Sequence, residues 1–154
     1  MNPINQPRNR APKKNMENGK RYSLTLHNRI DQISQLAEFT ERLAEDNNID
    51  CAMAMSLNLA LEEAVTNVVL YAYPEEFDGT IEIFAQVSDG KLTFVISDSG
   101  KPFDPTKVPD ADTSVSVEDR PIGGLGIFLV RNIMNEVHYE FKDNKNILTM
   151  IKNI

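Results

Sequence analysis

The feature that most constrains this chain is an apolar segment between Asp50 and Pro74. Asp50 is a favourable helix N-cap and Pro74 cannot continue a helix, so the segment predicts one helix that ends at about Tyr73. Apolar residues cover nearly its whole circumference, which indicates a helix buried in the body of a domain. The rest of the chain must therefore supply layers that pack around residues 51–73.

Two polar residues interrupt this apolar helix. Glu63 and Asn67 are four residues apart, so they project from one face of the helix, one above the other. Burying a carboxylate and a carboxamide without partners costs free energy. The structural explanation is that Glu63 lies at the edge of a solvated face. The functional explanation is that a proton acceptor and an oxygen ligand for a hard cation face a pocket.

The segments on either side of this helix predict further helices and strands. Asn28 offers an N-cap oxygen for a first helix, which apolar residues at helical spacing extend to about Asp46. Asp89-Gly90 joins two alternating runs and indicates a β-hairpin. The other predicted segments are a strand over 22–26, hairpin strands over 81–87 and 92–96, a polar loop over 106–121, a helix over 125–135, and strands over 137–141 and 147–151 with residues 143–146 between them. This order predicts an α+β fold, a two-layer α/β sandwich with a mixed, mostly antiparallel sheet and the helices on one face.

Charge is unevenly distributed along the 154 residues, whose net charge is −7. Residues 1–21 carry six basic side chains and one acidic one, whereas residues 22–154 carry 10 basic and 22 acidic ones. We expect residues 1–21 to be a disordered basic tail and residues 22–154 to form one domain. The acidic domain argues against nucleic acid or an anionic membrane as the main partner.

The sequence also bears on cellular location. No run of about 18 apolar residues is present, so no membrane-spanning helix is expected. The N-terminal stretch lacks the apolar core of a secretory signal. Cys51 is the only cysteine, which excludes an internal disulfide and fits a reducing compartment. We therefore expect a cytoplasmic protein.

Two other segments are polar or glycine-rich where packing does not require it. Asp98-Ser99-Gly100 follows a buried strand. Asp98 is explained structurally as the start of a turn, or functionally as an acceptor for an exocyclic amine. The glycine-rich run from Gly123 to Gly126 begins a helix, where free N–H groups and the helix dipole favour a phosphate, although a flexible hinge has the same composition. It matches neither a Walker loop nor a dinucleotide-binding fingerprint.

Together these segments resemble a known set of nucleotide-binding motifs. The matching residues are Glu63-x-x-x-Asn67, Asp98-x-Gly100-x-Pro102-Phe103 and Gly123-Gly124-Leu125-Gly126-Ile127. They are similar to the N, G1 and G2 boxes of GHKL-type ATPases, and most similar to those of bacterial anti-sigma-factor serine/threonine kinases of the RsbW and SpoIIAB kind. The resemblance extends over about residues 22–154 and implies a Bergerat-type ATP site.

The resemblance implies a role for each matching residue. Asn67 would hold Mg²⁺ between the phosphates of ATP, and Glu63 would be the general base that activates a serine hydroxyl. Asp98, with Gly100 beside it, would bind the adenine amino group, and Thr149 would correspond to a threonine that assists Asp98. The glycine-rich segment would bind the phosphates through Gly123, Gly124, Leu125, Gly126 and Ile127, and residues 106–121 would form the ATP lid.

Three functions compete at this stage. The leading hypothesis is an ATP-dependent protein serine kinase that sequesters a sigma factor and phosphorylates an anti-anti-sigma protein with a STAS domain, with a homodimer as a further expectation from the resemblance. The second is a non-catalytic, ATP-gated binding module that acts as an anti-sigma factor without kinase turnover. The third, a catalytic fragment of a sensor histidine kinase, is less favoured because the chain lacks dimerisation helices with a phospho-acceptor histidine.

Overall fold

Five strands form one antiparallel sheet in the computed structural model, which describes residues 19–107 and 124–154. The strands are β1 (Lys20–His27), β2 (Thr80–Ser88), β3 (Lys91–Asp98), β4 (Glu136–Lys142) and β5 (Lys145–Asn153). Their order in the sheet is β1-β2-β3-β5-β4, and all four pairings are antiparallel. The α+β class with an antiparallel sheet is therefore confirmed.

Among the described residues, three α-helices pack on one face of this sheet. They are α1 (Gln35–Asp46), α2 (Cys51–Asn67) and α3 (Gly124–Ile133). Alternate residues of β2 and β3 are buried, as expected when only one face of a sheet is covered. Leu61 of α2 and Phe94 of β3 are fully buried in one core cluster. The central helix α2 contacts both α1 and α3. Side chains of α2 therefore contribute to the space between the helices and the sheet.

The central helix begins and ends close to the predicted residues. The Asp50 side chain accepts a hydrogen bond from the Met53 amide at 2.8 Å, which confirms the N-cap. Regular α-helical bonding ends at Asn67, and Val68–Ala72 continue as a π-helical turn. The first half of α2 is more exposed than predicted, since Met55 is 69% exposed. The buried residues of α2 therefore lie mainly in its second half, where Leu61, Val65 and Asn67 are buried while Leu59 remains exposed.

The first helix starts later than the sequence indicates. The predicted N-cap, Asn28, instead bonds to the loop before β2: its side chain accepts from the Gly79 amide at 2.7 Å and donates to the Phe77 carbonyl at 2.7 Å. A short 3-10 turn, Ile30–Gln32, separates it from α1. Asn28 was therefore wrongly predicted as an N-cap, because its amide is used in a contact that is distant in sequence.

The second hairpin has a shorter turn than predicted. Asp143 and Asn144 both have positive φ angles, 54° and 60°, which is the geometry of a two-residue type I′ turn. Lys145 and Asn146, predicted to lie in the turn, are therefore the first residues of β5. This correction determines which side chains of β5 face the helices.

The N-terminal part of the described chain also differs from the prediction. Lys20 and Arg21, assigned to the tail, belong to β1. The remainder of the predicted tail, residues 1–18, lies outside the described residues. Within the described ranges, no helix combines the length and the apolar character that crossing a membrane requires.

Candidate functional site

The first part of the site is the carboxylate at the end of β3. Asp98 is 4% exposed, and its Oδ1 accepts hydrogen bonds from the Gly100 amide and from Asn146 Nδ2, both at 2.9 Å. Burial raises the pKa of Asp98, and these two hydrogen bonds lower it again in part. Within residues 19–107 and 124–154, no hydrogen bond is made to Oδ2. Asp98 therefore retains one oxygen that can accept from a ligand.

A cavity between the helices and the sheet lies at this carboxylate. Its walls are mainly apolar, and its polar groups come from Asn67, Asp98, Tyr139 and Asn146. The apolar lining residues are Ala64, Val68, Ala72, Ile96, Phe103, Pro105 and Leu148. A few placed polar groups within apolar walls are typical of sites that bind small molecules.

Gly100 is required for the backbone contact at the rim of this cavity. The Lys101 amide donates to the Ala72 carbonyl at 2.8 Å, which ties the loop after β3 to the end of the π-helical turn. A Cβ at position 100 would lie 2.3 Å from that same carbonyl oxygen. Only glycine fits there without moving the backbone. The predicted importance of Gly100 thus has a steric cause: it lets two backbone segments meet.

Asn67 is the second polar residue of the cavity. It is the last residue of α2 and is 4% exposed, yet its side chain forms no hydrogen bond with any other described residue. An amide oxygen is a suitable ligand for Mg²⁺, which commonly binds one or two protein groups together with substrate phosphates. Within the described residues, no group of three or more His, Cys, Asp or Glu side chains is placed to hold a metal ion. The Asn67 amide oxygen is a donor of the kind that fits Mg²⁺ bound together with phosphates.

Glu63 lies one helical turn before Asn67 and touches the start of α3. A Cβ added to Gly126 would lie 2.6 Å from Glu63 Oε2, so the carboxylate packs directly against this glycine. Burial raises the pKa of Glu63, and the charge of Glu62 raises it further. Among the described residues Glu63 has no salt-bridge partner. Such a carboxylate, half-buried and unpaired, is disposed to accept a proton.

The structure brings most of the predicted site residues to one region. Asn67 and Asp98 line one cavity, and Gly126 contacts Glu63. Ile127 is buried, with 1% of its surface exposed. Gly124 and Leu125 are the first residues of α3. Gly123 and residues 108–121 of the predicted lid lie outside the described residues.

Thr149 is the predicted residue that the structure does not bring to the site. It pairs with Val95 across the β3–β5 ladder, whereas Asp98 pairs with Asn146. Side chains alternate between the faces of a strand, so Thr149 points to the face opposite the helices and Asn146 points to the cavity. The assignment of Thr149 as the partner of Asp98 is therefore corrected: Asn146 is that partner.

The sequence-based reasoning missed two cavity residues, Asn146 and Tyr139. Asn146 was assigned to a turn, and Tyr139 was treated only as part of a strand. The signal that would have found Asn146 is Asp143-Asn144, a residue pair suited to the positive φ angles of a two-residue turn. A turn of two residues places position 146 in β5, opposite the end of β3.

Comparisons with known proteins relate the chain to one family of ATPase domains. The family model of the histidine kinase-like ATPase domain matches residues 26–152. Serine-protein kinase RsbW from two Staphylococcus aureus strains, bovine RF122 / ET3-1 and MSSA476, is 36% identical over 101 residues, which are 62% of this chain and 63% of each relative. The alignment thus covers less than two thirds of those relatives. The histidine kinase domain of the blue-light activated histidine kinase EL346 from Erythrobacter litoralis matches 77% of this chain and 60% of that chain, with a TM-score of 0.48 and 16% identity.

Proposed function

Because the chain belongs to the histidine kinase-like ATPase domain family, we propose that it is an ATP-dependent protein serine kinase. The observation that carries the proposal is the unpaired Glu63 carboxylate, held against Gly126 and one helical turn from the unpaired Asn67 amide. This pair supplies a base and a metal ligand beside a cavity with an adenine-compatible carboxylate. The name of the RsbW relatives, serine-protein kinase, supports the same reaction.

The proposed chemistry assigns one task to each residue. The Asp98 carboxylate accepts a hydrogen bond from the 6-amino group of adenine, and the first residues of α3 donate N–H groups to the phosphates. Bound Mg²⁺, held by the Asn67 amide oxygen and the phosphates, would neutralise charge during transfer. Glu63 takes the proton from a serine hydroxyl. The serine oxygen forms a bond to the γ-phosphorus, the bond to the β–γ bridging oxygen breaks, and ADP leaves with that electron pair.

The proposed partners follow from the resemblance of the three motifs to anti-sigma-factor kinases. The phosphate acceptor is a serine of an anti-anti-sigma protein with a STAS domain, and the competing partner is a sigma factor. We propose that this exchange takes place in the cytoplasm. Whether the protein forms a homodimer is tested by measuring its mass in solution, alone and with each partner.

The proposal is tested by phosphoryl transfer to candidate acceptors. Purified protein is mixed with Mg-ATP and STAS-domain proteins encoded by neighbouring genes, and phosphoserine is detected by mass spectrometry. We expect one acceptor to be phosphorylated. Glu63→Gln keeps the size of the side chain but removes the base, so the transfer rate should fall at least about 100-fold while ATP affinity stays within about twofold.

Glu62→Gln is the matched control. Glu62 is the adjacent carboxylate, but successive residues of a helix point about 100° apart. Its Oε1 accepts a hydrogen bond from Asn58 at 3.0 Å rather than facing α3. This variant should retain most of the transfer rate. ATP binding by the wild-type protein without phosphorylation of any acceptor would reject kinase activity and support the alternative, an ATP-gated binding module.

A further inference from the structure

We propose that Asn146 is a positioning residue that fixes Asp98 for adenine and thereby sets the preference of this site for ATP over nucleotides with a 6-oxo base. This inference rests on the proposed ATP site and adds to it a residue, a mechanism and a measurable selectivity. Asn146 is 5% exposed and stands at the cavity beside Asp98. It is also the register partner of Asp98 across the β3–β5 ladder.

The Asn146 side chain uses its full hydrogen-bonding capacity. Its amide nitrogen donates to Asp98 Oδ1 and to the Lys101 carbonyl, both at 2.9 Å. Its amide oxygen accepts from the Phe103 amide at 3.0 Å and from the Tyr139 hydroxyl at 2.6 Å. A carboxamide has two N–H donors and two acceptor positions, so none is left over. Such a saturated buried network holds its members in a single arrangement.

This network fixes the orientation of the Asp98 carboxylate, so that one of its oxygens faces the cavity. Asn146 and the Gly100 amide both bind Oδ1, so rotation of the carboxylate would break two hydrogen bonds. Oδ2 is therefore the oxygen that remains for a ligand. Asn146 has already saturated its own donors, so it cannot donate to a ligand carbonyl in place of Asp98. Asp98 and Asn146 together therefore offer a ligand only a hydrogen-bond acceptor, the free carboxylate oxygen of Asp98.

The same side chain also orders the loop that closes one side of the cavity. The Lys101 carbonyl and the Phe103 amide both bind Asn146, which ties the loop after β3 to β5. The Phe103 ring lines the cavity and stacks on Tyr71 with 5.0 Å between ring centroids. Loss of Asn146 would release the carboxylate and this apolar wall together. The expected consequence is a site that no longer distinguishes a purine with a 6-amino group from one with a 6-oxo group.

The selectivity follows from the chemistry of position 6 of the purine. Adenine presents an N–H donor to Asp98 Oδ2, whereas the hypoxanthine of ITP presents a carbonyl oxygen, which the carboxylate repels. A site built to pair with a polar group strongly disfavours an analogue that cannot pair. We expect the wild-type protein to bind Mg-ATP at least about tenfold more tightly than Mg-ITP.

The test is the ratio of the two dissociation constants in a set of variants, measured by calorimetry. Asn146→Leu removes all four hydrogen bonds, and Asn146→Asp keeps the two accepting positions but replaces the donor to Asp98 with a second carboxyl group. Both should lower the ATP preference about tenfold. Tyr139→Phe removes a single bond to Asn146 and should lower it about two- to threefold. Asn153→Leu makes the same change as Asn146→Leu at an exposed position of β5 and should leave the ratio unchanged.

The ratio separates positioning from a general structural role. A variant that only loosens the fold should bind ATP and ITP more weakly by the same factor, so the ratio of their dissociation constants stays unchanged. A retained ATP preference in Asn146→Asp and Tyr139→Phe would therefore overturn the inference. These two variants also test the role of Asn146 in the ATP preference if Asn146→Leu does not fold. Equal binding of ATP and ITP by the wild-type protein would overturn it as well. Failure of the wild-type protein to bind either nucleotide would reject the proposed function together with the inference.

Discussion

Two parts of the proposed ATP site differ in how far their polar groups are paired within the protein: a base end, formed by Asp98 and Asn146, and a phosphate end, formed by Glu63 and Asn67. At the base end, Asp98 Oδ1 and the whole Asn146 side chain are hydrogen-bonded within the protein. At the phosphate end, Glu63 and Asn67 form no hydrogen bond or ion pair with another described residue. Buried polar groups normally find partners within the fold. The difference is the one expected of the proposed ATP site, in which the protein holds the base end and bound Mg-ATP supplies partners at the phosphate end.

The largest effect on this comparison is expected from Asn67→Ala, which removes the unpaired amide. We expect Mg-ATP affinity to fall at least about tenfold, because the variant deletes the amide oxygen that is proposed to bind the metal. Affinity measured in EDTA should be nearly the same for wild type and variant. Calorimetry with and without Mg²⁺ provides both numbers.

Asn58→Ala is the matched control for this change. Asn58 lies on the same helix, but its amide donates to Glu62 at 3.0 Å and does not line the cavity. Its loss should leave Mg-ATP affinity unchanged. Equal effects of the two variants, with or without Mg²⁺, would refute metal binding by Asn67. Binding of the protein partner to Asn67→Ala then shows whether bound nucleotide controls that interaction. If the partner still binds this variant, bound nucleotide is not required for partner binding.

A smaller effect is expected from Gly126→Ala, which displaces Glu63 without altering its chemistry. The new Cβ would meet Oε2 at 2.6 Å, so the carboxylate must move. We expect the transfer rate to fall about tenfold, since a shift of about 1 Å at a reacting group is costly. In a Glu63→Gln background the same glycine change should have little further effect on the rate. Fully additive losses in the double variant would contradict the contact as the cause.

The smallest effect is expected on stability. Burial raises the pKa of Glu63 above its ordinary value of 4.5. The folded protein therefore binds this proton more readily than the unfolded chain, so the contribution of Glu63 to stability is present below pH 4.5 and is lost as pH rises through the raised pKa. Glutamine does not titrate. Thermal unfolding should show Glu63→Gln at least as stable as wild type at neutral pH, with the difference shrinking in acid. A variant that is less stable at neutral pH would contradict an unpaired carboxylate.

The proximity of Glu63 and Asn67 was largely predictable from sequence, and that of Asp98 and Asn146 was not. Glu63 and Asn67 are four residues apart on one strongly apolar helix, so local periodicity places them together. Asp98 and Asn146 are 48 residues apart, and their contact depends on the register of β3 with β5. The turn was predicted two residues too long, through Lys145 and Asn146, which left Asn146 out of the strand; Thr149 was named only because the resemblance implied it. The pairing of two distant strands is set by their register, which local propensity does not reveal.

The predicted start of the first helix was wrong for a related reason. Asn28 has the composition of an N-cap, but its amide bonds to Phe77 and Gly79, about 50 residues away. The exposed first half of α2 was also not predictable, because an apolar segment contains no information on where its neighbours end. Where contacts are local, the prediction holds. Contacts between segments that are distant in sequence were found only in the folded structure.

The most direct test of the central claim, that Glu63 acts as the base at the phosphate end, is the pH dependence of phosphoryl transfer in a single turnover. Saturating Mg-ATP and the acceptor protein isolate the chemical step, and nucleotide affinity is measured at each pH as the control. Since protonated Glu63 cannot accept a proton, the rate should fall in acid with a midpoint above 4.5, the ordinary glutamate pKa. Glu63→Gln should lack this limb. A wild-type rate that stays constant down to pH 4.5 would contradict the assignment of Glu63 as a base with a raised pKa.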